Sequence, residues 1–454
     1  MRALQGGARI DRNRTIAFTF DGKRLRGHPG DTLASALLAN DIHFVARSFK
    51  YHRPRGIVSA GAEEPNALVT IGTGPFVEPN TRATTVELYD GLVARSQNAW
   101  PSLNLDLGAL TGLASQFFPA GFYYKTFLGL AQRWTRVYEP FIRRMAGLGP
   151  APTASDPDSY DKIHAHCETL VIGGGAAGQA AALAAEPQGR VILIDEGGPQ
   201  APLGGVRLLS RTTASGRYDD NLVMAVERLT DHLSSAQRQG PRQRLWQIRA
   251  QRIILASGAH QQPLVFPGND LPAVMLASAG LTYLRDYGVL VGRRIVMVGQ
   301  PDGVDELRVA GAEVVLVEAI ASARGGKRVT SVTDCAGKRH ACDAVLMVGG
   351  WQPAVHLHSH LGGRVVFDAE RCCFIPLAGD AQPQSVGACA GVVPHVVPVV
   401  PVMGRKAFVD YQNDVTIDDI DLATREGFVS VEHLKRYTTT GMATDRVSYR
   451  TSMH

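Results

Sequence analysis

The chain has 454 residues, 45% apolar and 20% charged, proportions of a globular protein long enough for two to four domains. Its formal net charge of +5 is spread along the length without a basic block or an aromatic-interleaved basic stripe, so the sequence carries no footprint of nucleic-acid binding. No run approaches the roughly 18 apolar residues of a membrane span, the basic N-terminus lacks the apolar core of a secretion signal, and none of the six cysteines forms C-x-x-C, so a cytoplasmic chain with buried thiols is expected.

In chain order, Thr15–Phe20 and Lys23–Arg26 read as strands joined at Asp21-Gly22, a dipeptide that supplies the positive φ of a tight hairpin turn. Thr32 caps an apolar helical run, Leu33–Leu38, and Ala67–Ile71 and Val86–Tyr89 supply further strands. Residues 1–100 thus form a β-grasp-like domain. Residues 101–165 are an aromatic-rich connector (Phe117, Phe118, Phe122, Tyr123, Tyr124, Trp134), which either packs on another surface or covers its own core, and Ala151–Asp161 is a polar, Pro-containing linker.

From Cys167 the pattern becomes α/β, and residues 166–395 read as a Rossmann-like dinucleotide-binding domain. Later strands are expected at Arg252–Leu255, Arg294–Val298, Glu313–Val317 and Ala344–Val348, mostly separated by helical segments. Pro394, Pro398 and Pro401 forbid a regular helix and mark an extended crossing into a small helical domain, 396–454, with helices at Asp418–Glu426 and Val431–Tyr437.

The strand Glu168–Ile172 runs into Gly173-Gly174-Gly175-Ala176-Ala177-Gly178, a G-x-G-x-x-G turn opening an Ala-rich helix. Gly173 permits the turn, Gly175 lets the backbone approach a pyrophosphate, Gly178 lets helix and strand pack, and the N-terminus at Ala176 and Ala177 offers unpaired N–H groups to the anion. The next strand ends in Asp195-Glu196, seventeen and eighteen residues after Gly178, where a carboxylate accepts ribose hydroxyls and repels a 2′-phosphate. The expected ligand is NAD or the ADP half of FAD.

Ile253–Ala259, with Gly258, resembles the strand-then-turn of two-dinucleotide flavoproteins, and Val386–Gly391, with Ala388 and Gly391, is a late small-residue turn expected near the same cofactor. Val296–Gly303 makes a poor second fingerprint, short of a glycine and interrupted by Pro301. His356, His358 and His360 alternate, as on one face of a strand, but without a carboxylate set, and the adjacent Cys372-Cys373 cannot chelate one ion comfortably, so no metal site is expected. With no motif for nucleophilic or acid–base catalysis, catalytic residues stay unassigned and redox chemistry falls to the cofactor.

Several long strings resemble the alpha subunits of heterotetrameric sarcosine oxidases: Gly30–Asn40, Arg47–Gly56, Pro119–Phe127, Pro263–Asp270, Lys406–Val415 and Ser430–Thr439. That resemblance implies NAD held at the glycine turn, sarcosine oxidised at an FAD in a beta-type subunit, FMN at the alpha–beta contact, and small gamma and delta subunits. It carries Ala177, Asp195 and Glu196 over as NAD contacts, with Ala214 a weaker one. It also implies a ferredoxin-like first domain, whose cluster-bearing relatives have C-x4-C-x2-C where this chain reads Ser59–Asn66, and a last domain with Asp410 and Gln412 where relatives have C-x-C. Neither place holds a thiolate, so no iron–sulfur cluster is expected. Relative to the family, the chain is short at Gly205–Leu208 and Gly303–Val314 and stops before a folate-binding, aminomethyltransferase-like region. The basic run Lys50–Arg55 is expected to meet a partner or a flavin phosphate, or else to be a solvated loop. Alternatives for the whole are a degenerate nucleotide-binding scaffold and a free-standing FAD oxidoreductase.

Overall fold

The computed structural model describes residues 1–112, 120–121, 134–140, 143, 147–198, 200–299, 302–377, 379, 383–394, 404 and 406–442. The chain divides into two compact units: Met1–Asp156 with Pro263–Gly349 and Val399–Met453, and Pro157–Gln262 with Gly350–Pro398. The expected single domain over 166–395 is therefore divided, because Val274–Leu276, Ala344–Met347, Arg294–Val298 and Glu313–Val317 form their own four-stranded parallel sheet.

The first unit begins with a five-stranded β-grasp sheet, in the order Lys23–Gly27, Ile16–Phe20, Leu92–Ser96, Leu68–Ile71 and Glu78–Arg82. Thr32 caps the helix Leu33–Ala39 through a box with Ser35, and the helix buries Leu33 to Leu38. Val86–Tyr89 is not a strand. Its backbone groups are taken by the helix start, Leu33 N–H donating to Val86 and Leu88 N–H to Asp31, each at 2.8 Å. Between Val317 and Ala344 the chain forms an antiparallel meander, Ile320–Gly325, Val329–Asp334 and Arg339–Ala341. The C-terminal helices occupy Ile417–Arg425 and Val431–Thr438.

Arg53 and Arg55 are not members of a solvated loop; both are tied into this unit. Arg55 is 1% exposed, and its terminal nitrogens bond Asp270 and Asp414, both fully buried. Arg53 donates twice to Asp270, at 2.7 and 2.8 Å, and Asp414 accepts the backbone N–H groups of Lys50 and Tyr51. The Arg55 guanidinium lies over Phe408, 4.5 Å from the ring centre. The aromatic residues Phe117, Phe118, Phe122, Tyr123, Tyr124 and Phe127, together with Pro398 and Pro401, lie outside the described residues.

The second unit is a sheet ordered Arg207–Leu209, Val191–Ile194, Tyr160–Ile172, Gln243–Leu255, Leu222–Arg228, Thr212–Tyr218. Tyr160–Ile172 lies parallel to both its neighbours, and the helix Ala176–Ala185 connects it to Val191–Ile194, which makes the expected βαβ unit. No helix among the described residues is long and apolar enough to cross a membrane.

Removing one member of a buried ion pair strands its partner, a loss of about 3–5 kcal/mol. Arg55→Ala should cost stability on that scale in urea denaturation, whereas a solvated arginine would cost less than about 0.5 kcal/mol.

Candidate dinucleotide site

The three glycines of the turn do different work. At Gly173, with φ +109°, a Cβ would stand 2.2 Å from the Ala256 carbonyl oxygen, and at Gly178 it would stand 1.8 Å from that of Gly173. The fold itself demands glycine at both positions. At Gly175, φ is −69° and an added Cβ meets nothing within 4 Å. The fold leaves that place open in front of the helix Ala176–Ala185, whose N-cap is Gly175 and whose first N–H groups receive no side-chain cap.

The site lies at the carboxyl ends of the parallel strands, where open α/β sheets bind ligands. Ala256 N–H donates to Ile172, and Val386 N–H to Leu255, bringing both downstream turns to this edge. A Cβ on Gly387 would lie 2.6 Å from that of Ala177, so the late turn packs on the helix start. Ala388 lies in that turn and Gly391 closes it with φ +88°. Gly258, φ +76°, accepts the Ala354 N–H. Ala214 lies elsewhere, in the strand Thr212–Tyr218, packed on the core around Trp246.

Asp195 follows the strand Val191–Ile194 and is half-buried. Its Oδ2 accepts the Gly174 N–H at 2.7 Å and its Oδ1 the Gly197 N–H at 2.8 Å. The carboxylate therefore clamps the glycine turn, and each oxygen keeps lone-pair capacity for a ribose hydroxyl. Glu196 is exposed, and its carbonyl accepts from Arg228. Sequence reasoning missed Gln179, whose Nε2 donates to the Gly174 carbonyl at 2.9 Å, and Gln200, whose side chain lies close to Gly174. Gln179 sits one residue beyond the motif, so only the folded turn reveals its use. Ser257 was missed as well; its hydroxyl bonds the Ala354 carbonyl and lies 3.2 Å from the Cys389 sulfur.

The second fingerprint opens a helix of only six residues, Val304–Val309, with Asp305 and Glu306 in its first turn, a charge that repels phosphate. Of the alternating histidines, His356 and His358 lie in a short helix, His356–Ser359, and His360 follows it as the C-cap, so they do not share a strand. Burial, and then His260 and His360, push the His356 imidazole below its ordinary pKa. Among the described residues no group of three or more His, Cys, Asp or Glu side chains could hold a metal ion.

In the first unit, C-x4-C-x2-C spacing begun at Ser59 places its second and third positions at Glu64 and Ala67. Glu64 is fully buried. Its Oε2 accepts the N–H groups of Val58 and Ser59, and its Oε1 those of Asn66 and Ala67, at 2.7–3.1 Å. Burial raises its pKa, against the pull of these four donors. One carboxylate thus gathers the loop.

Family comparisons match residues 13–99 to a 2Fe-2S iron-sulfur cluster binding domain, 168–255 to an FAD binding domain, and 404–451 to the sarcosine oxidase A3 domain. The chain is 44% identical to sarcosine oxidase subunit alpha of Rhizobium meliloti (strain 1021), over 96% of its own length and 54% of that protein's. It is 31% identical to the alpha subunit of Corynebacterium sp. (strain U-96), over 98% and 53%. The chain is related to sarcosine oxidase alpha subunits. It spans about half the length of these relatives. The first match runs over 532 positions, at least 78 more than this chain has, so the relative carries internal segments missing here. Among solved structures, L-proline dehydrogenase from P. horikoshii shares the fold, with a TM-score of 0.67 at 18% identity over 95% of this chain and 89% of that one.

The N-terminal match does not extend to cluster chemistry, since residues 13–99 contain no cysteine and Glu64 occupies the loop. Glu64→Gln would replace one acceptor oxygen by a donor facing two backbone N–H groups. A loss of about 3 kcal/mol or more is expected in chemical denaturation, and an unchanged midpoint would show that the loop is organised some other way.

Proposed function

We propose that this chain is the nucleotide-binding, alpha-type subunit of a sarcosine-oxidase-like oxidoreductase, with the ADP half of NAD seated at the glycine turn. The observation that carries the reading is the difference among the three glycines: Gly173 and Gly178 are required by packing, whereas Gly175 faces open space that a pyrophosphate would use. Gly175, Ala176, Ala177 and Gly178 would receive the pyrophosphate, and Asp195 the ribose, from an oxygen already oriented by Gly174 and Gly197. When bound, the dinucleotide supplies redox capacity; the chain's own residues bind it, orient it and disfavour a 2′-phosphate. The match of residues 168–255 to an FAD binding domain favours FAD as the alternative occupant.

The relatives' names support a role in oxidative demethylation of sarcosine or a related N-methyl amino acid. On this reading the amine is oxidised at an FAD in a beta-type subunit, with FMN at the contact between the two and gamma and delta subunits completing the assembly.

Gly175→Val tests the site directly, because the fold has room for the side chain and the ligand does not. Calorimetric titration should show affinity for NAD, or for FAD if that is the occupant, falling at least about tenfold, or 1.4 kcal/mol, with the melting temperature unchanged. Retained affinity would remove the glycine turn as the site. Sarcosine oxidation, followed as peroxide release, is expected only after co-expression with a beta-type subunit; turnover by the isolated chain would overturn the subunit reading.

A further inference from the structure

The β-grasp sheet of the first unit has two faces of opposite character. One carries Phe18, Phe20, Val69, Ile71, Leu92 and Ala94, all buried. Register fixes what stands on the other. Arg24 and Arg26 lie opposite Thr19 and Ala17, Val93 pairs with Thr19, and Arg95 lies opposite Thr70, so the three arginines share the outer face. Arg24 and Arg26 are about 7 Å apart along their strand, and Arg95 stands two strands, about 10 Å, across the sheet.

All three arginines are exposed, and among the described residues none has an ion pair or a side-chain hydrogen bond. The strands Lys23–Gly27, Ile16–Phe20, Leu92–Ser96 and Leu68–Ile71 contain no Asp or Glu. In the adjoining turns, Asp21 and Asp90 accept the backbone N–H groups of Ser96 and Ala17. Three guanidiniums on one face with no carboxylate among them repel one another, a cost that an acidic surface removes.

Charges on an edge strand block sheet-to-sheet pairing, which accounts for Lys23, Arg24 and Arg26 on the terminal strand. It does not account for Arg95, whose strand lies between Ile16–Phe20 and Leu68–Ile71. Nor does the edge invite an added strand at Arg26, whose carbonyl already accepts the Asn40 amide at 2.8 Å. The open surface is the face, and unpaired guanidiniums there suit carboxylates in bidentate geometry. A nucleic acid fits less well, since the +5 charge is otherwise dispersed and no aromatic side chain stands on this face of the four strands to stack a base.

Building on the alpha-type subunit reading, we propose that the outer face of this sheet docks an acidic surface of the beta-type subunit, with Arg24, Arg26 and Arg95 paired to its Asp and Glu carboxylates.

The test is the affinity of the full chain for a purified beta-type subunit, measured by surface plasmon resonance as sodium chloride rises. Wild-type affinity should fall with salt, because ion pairs at an interface rim are screened. Arg24→Glu/Arg26→Glu and Arg95→Glu should each weaken binding at least about tenfold and flatten the salt dependence. The melting temperature of the isolated chain should stay unchanged, since none of the three side chains has a partner to lose. Lys327→Glu/Lys338→Glu makes the same change in net charge as the double arginine reversal, at two exposed lysines in the meander, and should leave affinity unaltered. Binding that ignores salt, reversal variants that bind like wild type, or a lysine control that weakens binding equally would each overturn the surface and leave the subunit reading intact. So would reversal variants that keep the beta-type subunit but lose phosphatidylserine vesicles, which assigns the face to a membrane. No binding by wild type removes the subunit reading and this proposal with it. Should a reversal variant unfold, Arg24→Gln/Arg26→Gln and the wild-type salt series decide.

Discussion

The first unit depends on one buried cation. Arg55 joins segments that lie far apart in the chain: its own loop, the turn bearing Asp270 and the hairpin bearing Asp414. Asp414 also holds the backbone of Lys50 and Tyr51, so the same carboxylate fixes the path of the loop that presents the arginine. Asp270 and Asp414 pair with Arg55 out of water, and the partly exposed Arg53 also bonds Asp270, so losing Arg55 would leave the buried Asp414 without the guanidinium it pairs with. Phe408 and Tyr411 shield the guanidinium from the side of the C-terminal segment.

That constraint sets what the neighbouring loop can be. In a ferredoxin-like domain with a cluster, thiolates and inorganic sulfides organise the loop after the helix; here Glu64 does so with one carboxylate and four backbone donors. A buried carboxylate can replace the organising role of a cluster, because loop N–H groups need a negative acceptor. Unlike a cluster, a carboxylate carries no redox capacity of its own.

The second unit separates architecture from ligand within six residues. Gly173 and Gly178 answer to backbone oxygens 2.2 and 1.8 Å from a hypothetical Cβ, and Gly175 answers to nothing in the protein. Asp195 serves both sides, bracing the turn through Gly174 and Gly197 while standing at the end of the strand Val191–Ile194.

Local pattern determined much of this protein. The hairpin at Asp21-Gly22, the Thr32 cap, the glycine turn with its helix, the strands Arg294–Val298 and Glu313–Val317 and the two C-terminal helices were all legible, because each is specified by turn chemistry or by periodicity among near neighbours. Tertiary structure decided the rest. Whether 263–349 joins the dinucleotide sheet, whether Val86–Tyr89 pairs as a strand, and whether the histidines at 356–360 alternate on a strand depend on which distant backbone takes their hydrogen bonds, and no local window contains that partner. Lys50–Arg55 reads as a basic surface run only until Asp270 and Asp414, more than 200 residues away, are brought beside it. Charge is a property of the residue, but burial and pairing are properties of the fold.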